Sequence, residues 1–429
     1  MKNINLLLIG TLTLSLFACK KSNDTISTTS NTPPPAGSYI KGSHLKGTLK
    51  GSLKQDSTYY LDGDMIVNAT DSFGIAPGAK VLATGNYRIE IAGTLICNGT
   101  DAKPITFTAS DAATAYANLG QTGYWGGFLI DSTAKYVSVT FTHINYTGGP
   151  DATGGTQASF DVEGSQSYNI GAKITFEDNW MFGGIDDAIH LAGNITCSVK
   201  RNVLQRLGGP DGDLINIKAG AHGDIAYNYI WNSANSGIKL NTGKTVLSPE
   251  TKFNIYNNTI INGNWRKVGE LSSAILVDQF SAATIYNNVI VGCRNGINIT
   301  KKADTMNCRY GNDLIYMYYE AAANKTDSFT NNPYIPLSAG KVQSTDKIGA
   351  GLTACGSVFT HWDSDITVDL LDNNVPSLAA GSAAIGTGTT SANVPFYAIG
   401  TSMPLNKDMG AYPTDGSGNK HMPTTKPVQ

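Results

Sequence analysis

The chain has 429 residues, of which 41% are apolar and 15% charged, with 47 glycines and a net charge of −2. So low a charge fraction and so much glycine, without long Lys/Glu/Ala/Leu stretches, argue against a helical protein and for many short strands joined by turns. The near-neutral balance, with no basic stripe, argues against a nucleic-acid partner.

Lys2 and an apolar run from Ile4 to Phe17 open the chain. The run is too short to span a bilayer and has the length of a signal-peptide core. It closes on Leu16-Phe17-Ala18-Cys19, which resembles the lipobox of bacterial lipoproteins. The resemblance implies that residues 1–19 are a signal peptide and that Cys19 carries lipid. The membrane would then be met through that anchor alone, at the outer membrane or cell surface of a Gram-negative bacterium. Residues 20–38, KKSNDTISTTSNTPPPAGS, read as a polar, proline-containing tether.

From residue 39 the chain reads as rungs. Gly37–Asp62 is expected to cover the open end of a stack, because an unpaired strand edge invites aggregation. GIAPGAKVLATG, YRIEIAGTLICNGTDAKPITFTAS and WGGFLIDSTAKYVSVTFTHI follow, with Gly, Pro and Asn at the corners. The pattern then becomes regular. FEDNWM, VKRNVL, IAYNYI, IYNNTI and IYNNVI each place an apolar residue three before an Asn and another two after it. Those residues, Asn179, Asn202, Asn228, Asn258 and Asn288, are 23, 26, 30 and 30 positions apart by subtraction. An earlier unit, VTFTHINYTGG, aligns with Ile144 in the Asn slot. Each phrase is followed by a short alternating segment: DAIHL, DLINI, SGIKL, SAILV and NGINI.

A strand-and-turn repeat of this length predicts a parallel β-solenoid, since one coil cannot bury its inward face alone. A repeated Asn suits a sharp bend, where it tolerates left-handed backbone and can bond its counterpart one rung away. The leucine-rich consensus is absent, and no blade signature of a propeller is present. The I-x-PGA-x-V opening, the G-T-L…PI-x-F run and the WGG word resemble right-handed β-helix lipoproteins of Gram-negative surfaces. SLAAGSAAIGTG and KDMGAYP are similar to the terminal cassette of such chains. The resemblance implies an all-β, single-stranded right-handed parallel β-helix over residues 39–415, with residues 416–429 as a disordered tail. DLIYMYYEAAANK, within 300–350, reads as strand or short helix.

Besides Cys19 there are five cysteines, Cys97, Cys197, Cys293, Cys308 and Cys355. The odd count leaves at least one free thiol, and a Cys293–Cys308 pairing stays open.

Chemistry is sought on the second segment of each unit. Ile189, Ile215, Ile238, Ile275 and Ile297 form the inward column. The next residues, His190, Asn216, Lys239, Leu276 and Asn298, point outward, as do Ala192, Lys218, Asn241, Asp278 and Thr300 two further on. Asp187, Asp213, Ser236, Ser273 and Asn295 stand just before the strands. Three chemistries fit this strip. A glycosidase needs paired carboxylates, and Asp187 and Asp213 on adjacent rungs suit the short separation. A lyase needs carboxylates, with Ca2+ as an option, and a basic residue such as Lys218, Lys239 or Arg206. A binding surface needs the same groups only as hydrogen-bond partners. Asp211-Gly212-Asp213 lacks a full calcium loop, so no metal is assigned. Trp125, Trp180, Trp231 and Trp265 are candidates to stack on sugars.

GIDDAIHLAG also resembles a segment of pectin-degrading hydrolases, and AHGDI their Gly-His-Gly. That likeness implies Asp186 and Asp187 as an acid pair and His222 as the orienting histidine, with Ala188 and Ala221 departing from the motif. The candidate set is therefore Asp187, Asp213, His190 and Lys239 for catalysis, and Asp186, Asn216, Lys218, Asn241, Arg206 and His222 for substrate. The expected partner is a polysaccharide or other cell-surface glycan, bound, with cleavage by a lyase or glycoside-hydrolase reaction as an option. The alternative is a non-catalytic adhesive or scaffolding lipoprotein. An Asp before a strand also serves simply as a turn cap.

Overall fold

In the computed structural model, described over residues 39–163, 171–209, 211–245, 248–267, 272–318, 342–365, 371–394 and 397–424, the chain is an all-β parallel solenoid. The signal segment, Cys19 and the tether lie outside the described residues.

Each coil supplies three strands, and the coils stack into three faces. The first face is a ten-stranded sheet running from Gly51–Leu53 to Arg309–Gly311. The second and third faces form one twenty-stranded sheet, because the strand Thr58–Val67 crosses between them. Its start pairs with Lys80–Ala83 and its end with Ile89–Ile91. A representative coil comprises Thr196–Lys200, Val203–Gln205 and Ile215–Lys218. It pairs residue for residue with His222–Ala226, Tyr229–Trp231 and Ile238–Asn241 of the next. Register holds because the inward isoleucines of the third face, from Ile189 to Ile297, are fully buried. A one-residue slip would turn all of them to solvent.

The repeated asparagines form a file down the corner between the first and second faces. Asn179 Nδ2 donates to Asn202 Oδ1, Asn202 to Asn228, Asn228 to Asn258, and Asn258 to Asn288, all at 2.9–3.0 Å. The left-handed residue at the bend is the one before each ladder Asn: Asp178, Arg201, Tyr227, Asn257 and Asn287 all have positive φ. The ladder Asn is thus selected for hydrogen bonding rather than for its own backbone. The earlier unit is in a different register from the one expected. Thr142, not Ile144, occupies the slot, and its N–H donates to Asn179 Oδ1 at 2.9 Å. Ile144 instead pairs with Met181 and is buried.

The asparagines of the ladder give way to Asp313, whose Oδ1 accepts from Asn288 N and Nδ2 at 2.8 and 3.0 Å and whose own N–H donates to Asp346 Oδ1 at 3.0 Å. Its buried Oδ2 has no partner among the described residues. Ladder asparagines donate from Nδ2 to a backbone carbonyl, as Asn258 does to Ile225 O and Asn288 to Ile255 O. An ionised Asp313 cannot do so, and burial with the nearby Asp346 charge pushes its carboxyl well above the usual range. A raised folded pKa gives a contribution that is complete below about pH 4 and is lost as pH rises toward the folded value. Asp313→Asn should therefore raise the melting temperature at pH 7, by the equivalent of about 1–3 kcal/mol. The gain should shrink to nearly nothing at pH 4. Equal effects at both pH values would contradict this account.

Several expectations are revised. Of the stretch expected to cover the open end, residues 37 and 38 lie outside the described residues. His44–Thr48 and Gly51–Leu53 are strands of the first coil, paired to the next. Leu314–Met317, within DLIYMYY, is a strand, and residues 319–341 lie outside the described set. Cys97, Cys197, Cys293, Cys308 and Cys355 are all free and buried, so Cys293 and Cys308 do not pair. Residues 416–424, read as disordered, are packed: Asn419 and His421 are buried, and His421 Nε2 lies 3.0 Å from Asp178 Oδ1. Residues 425–429 lie outside the described residues.

Past residue 350 the chain runs back along the outside of the solenoid. Val375–Leu378 pairs antiparallel with Phe359–His361. The segment covers the outward side of the second face, where Val203, Tyr229, Ile261, Val289 and Leu314 cluster with Phe359, Met409, Ala411 and Tyr412. Tyr229 Oη and Gln205 Nε2 donate to Asp372 Oδ2 at 2.7 and 3.0 Å. On the first face, Lys200 Nζ donates to Thr401 O at 2.9 Å and Thr401 N to Glu177 at 2.9 Å.

Candidate functional site

Among the described residues, the hydrogen bonds of the C-terminal segment reach the first two faces, the corner between them, and Asn262 just past the end of the second. The third face keeps its outward side chains. In register, one coil apart, these are Glu90, Leu129, Asp161, His190, Asn216, Lys239, Leu276 and Asn298. Neighbours in this file stand about 4.8 Å apart.

Four predicted residues do meet here. Asp187 and Asp213 precede adjacent strands and sit low between coils, 8% and 2% exposed. His190 and Lys239 are partly open, with about a fifth of each side chain exposed (21% and 22%). The two acids are fully engaged. Asp187 Oδ1 accepts the Asp213 N–H at 2.7 Å and Oδ2 accepts Asn216 Nδ2 at 2.7 Å. Asp213 Oδ1 accepts the Ser236 N–H at 2.8 Å and Oδ2 accepts Lys239 Nζ at 2.9 Å. This is a second side-chain ladder, built by turn caps that each hold the coil above.

The sequence reading missed the group that organises His190. Asp161, in the strand Phe160–Val162, bonds His190 Nδ1 at 2.7 Å through Oδ1 and accepts Arg88 Nη2 at 3.0 Å on Oδ2. Burial alone would raise the Asp161 carboxyl, but its bonds to His190 and Arg88 bring it below the usual range. Burial likewise works against a charged His190, and the Asp161 contact outweighs it, so the imidazole is raised. Asp187 is pushed up to about 7, first by burial and then by the Asp213 charge. Lys239 is raised because Asp213 outweighs its burial.

The remaining candidates divide. Lys218 and Asn241 end their strands one coil apart and are partly exposed, in line with Asp278. Asp186 faces the neighbouring loop, where Thr156 Oγ1 donates to its Oδ2 at 2.6 Å. Arg206 is not on this strip: it lies buried at the turn after Val203–Gln205, donating to Gly208 O. His222 opens a strand of the first face, beyond the next corner, 3.0 Å from Thr196 Oγ1 and beside Tyr397. It therefore does not orient Asp186 or Asp187. Trp125, Trp231 and Trp265 are buried. Trp180 is stacked on His143 at 4.4 Å, so none of the four is an open platform.

Asp211 and Asp213 face Lys267 and Lys239 rather than each other. Among the described residues no group of three or more His, Cys, Asp or Glu side chains could hold a metal ion. Comparison with known protein families, with characterised proteins and with solved structures returns no significant match.

Proposed function

We propose that this chain is an exported, lipid-anchored β-helix protein that binds an extended polysaccharide along its third face. The observation behind this reading is that the outward side chains of this face stand in a straight file at regular spacing, charged or amide except for Leu129 and Leu276, with Asn216 and Asn298 buried in it. A polymer of repeating polar units meets equivalent partners on successive coils of such a file. Lys218, Asn241 and Asp278, together with His190 and Lys239, are the groups open enough to reach sugar hydroxyls or carboxylates.

Cleavage is the second reading. Its support is the poise of Asp187 near pH 7, one coil from Asp213 and beside His190, which suits proton transfer. Weighing against it, each oxygen of both acids already accepts a hydrogen bond, as turn caps do. The two readings part on Asp187→Asn. Asn216 Oδ1 has no partner among the described residues, so a rotated Asn216 amide can accept from the new side chain. The ladder then survives without a buried charge. The raised Asp187 contributes fully below about pH 4, and this is lost as pH rises through about 7. Asp187→Asn should therefore leave stability unchanged or raise it by about 1–2 kcal/mol above pH 7. Binding to a panel of acidic and neutral polysaccharides should change less than about threefold.

Lys218→Ala with Asn241→Ala should weaken binding by about tenfold, roughly 1.4 kcal/mol. Unchanged affinity in that double variant would remove the binding reading. Release of unsaturated or reducing ends by the wild type, abolished in Asp187→Asn, would establish cleavage instead. Membrane pelleting of the wild type but not of Cys19→Ser tests the anchor in the same preparations.

A further inference from the structure

The first coil carries a hollow remote in sequence from the third-face strip. Tyr39 bridges in parallel to Ser52, and Ile40 N donates to Ser52 O at 2.9 Å. Tyr60 N donates to Ser43 O at 2.7 Å. Residues 39–43 are thereby laid along the leading edge of the solenoid. Between them and the 54–59 turn lies a cavity of about 450 Å3, lined in part by Tyr39, Lys41, Ser43, Lys54, Ser57 and Tyr59. Such a volume holds a small ligand.

The lining has a definite chemistry. Tyr59 is buried, and its hydroxyl accepts the Lys54 N–H at 3.0 Å, leaving its own proton without an acceptor among the described residues. Tyr39 is 45% exposed, with Lys54 Nζ 5.7 Å from its ring centroid. Neither Asp56 nor Asp62 lines the hollow, and each has a basic partner elsewhere. Asp56 is held by Lys103 at 2.6 Å and Asp62 by His44 at 2.7 Å. Among the described residues neither Lys41 nor Lys54 has an acidic partner. Two uncompensated cations at a concave rim focus a positive potential inward.

We propose that this hollow binds a monosaccharide-sized ligand bearing one anionic group, a carboxylate or a phosphate. The sugar's C–H face packs on Tyr39, its anion lies between the Lys41 and Lys54 ammonium groups, and its hydroxyls meet Tyr59 Oη, Ser43 and Ser57. Both sources share this chemistry: a uronate supplies the carboxylate and a sugar phosphate the phosphate.

The test is calorimetric titration of the full chain with galacturonate, glucose 6-phosphate, and neutral galactose and glucose. The anionic sugars should bind with Kd on the order of 1 mM, more weakly as salt is added, and the neutral sugars much more weakly. Lys41→Gln with Lys54→Gln should lower the affinity at least about tenfold without moving the melting temperature. Tyr39→Ala should weaken the sugars but not inorganic phosphate. Lys218→Ala with Asn241→Ala, the change that weakens third-face binding, should leave all of these affinities unchanged, which separates this site from the third face. A tighter galacturonate assigns the carboxylate, and a tighter glucose 6-phosphate the phosphate. Equal binding of neutral sugars, no binding at all, or a double variant with unaltered affinity would overturn the proposal.

Discussion

Asn258→Ala should cost about 3–5 kcal/mol of stability, although it removes a small side chain and opens little apolar cavity. The reason is the number of buried partners it orphans. Asn258 Oδ1 accepts from Asn228 N and Nδ2, both at 3.0 Å. Asn258 Nδ2 donates to Ile225 O and Asn288 Oδ1, both at 3.0 Å. Alanine takes the side-chain partner from the Asn228 N–H and from Ile225 O, and one of two partners from Asn228 Nδ2 and Asn288 Oδ1, which keep Val199 O and the Asn258 N–H. Inside the solenoid water cannot replace them, and unmet groups cost more than made bonds contribute. Asn258→Asp should be comparably destabilising at neutral pH, because a carboxylate would confront the Ile225 and Asn288 oxygens. It should recover partly on acidification, when the protonated acid can donate. Thermal unfolding at pH 4 and pH 7 measures both. A cost below about 1 kcal/mol for the alanine variant would mean that the file is decorative. Since each coil touches only its neighbours, hydrogen exchange should show the loss concentrated around the coils of Asn228 to Asn288.

Truncation after residue 371 should convert the protein from soluble to aggregating. The removed segment covers Val203, Tyr229, Ile261, Val289 and Leu314 on the second face. Without it, an apolar strip several coils long would meet water, beyond the few hundred Å2 that soluble monomers usually tolerate in one patch. The loss is also polar. Asp372 accepts from Tyr229 and Gln205, and Thr401 O from Lys200, which is 1% exposed. Burial pushes the Asp372 carboxyl up to about 6, partly offset by its donors, so its contribution to stability also falls as pH rises through that value. The expected result is truncated chain in the insoluble fraction, with strong binding of an apolar dye by whatever stays in solution. A soluble, monomeric truncation with an unshifted melting temperature would show that the wrapping segment is dispensable.

These two expectations rest on features of different legibility. The ladder could be read from spacing, because a residue recurring at the same point of a stacked unit must meet its own copies. The wrapping segment could not. Glu177 and Thr401 are bonded across 224 positions, and no periodicity links them. The candidate strip falls between the two. Its outward column is legible in register from His190 to Asn298, because the DAIHL-type segments share one alternation. Asp161 is not legible in the same way: the chain before it, from Gly148 to Ser159, carries no repeat phrase, and its register with His190 exists only once the coils are stacked.

The stacking of coils, the inward isoleucine column and the asparagine file all follow from one local period and are legible in the chain. Which faces are covered, that Arg206 and His222 stand away from the acids, and that Asp187 and Asp213 serve as caps emerge only once the coils are packed. A repeat specifies neighbours one coil apart and nothing further. Cover, burial and the partner of each carboxylate depend on loops of unequal length and on a C-terminal segment that returns from far along the chain.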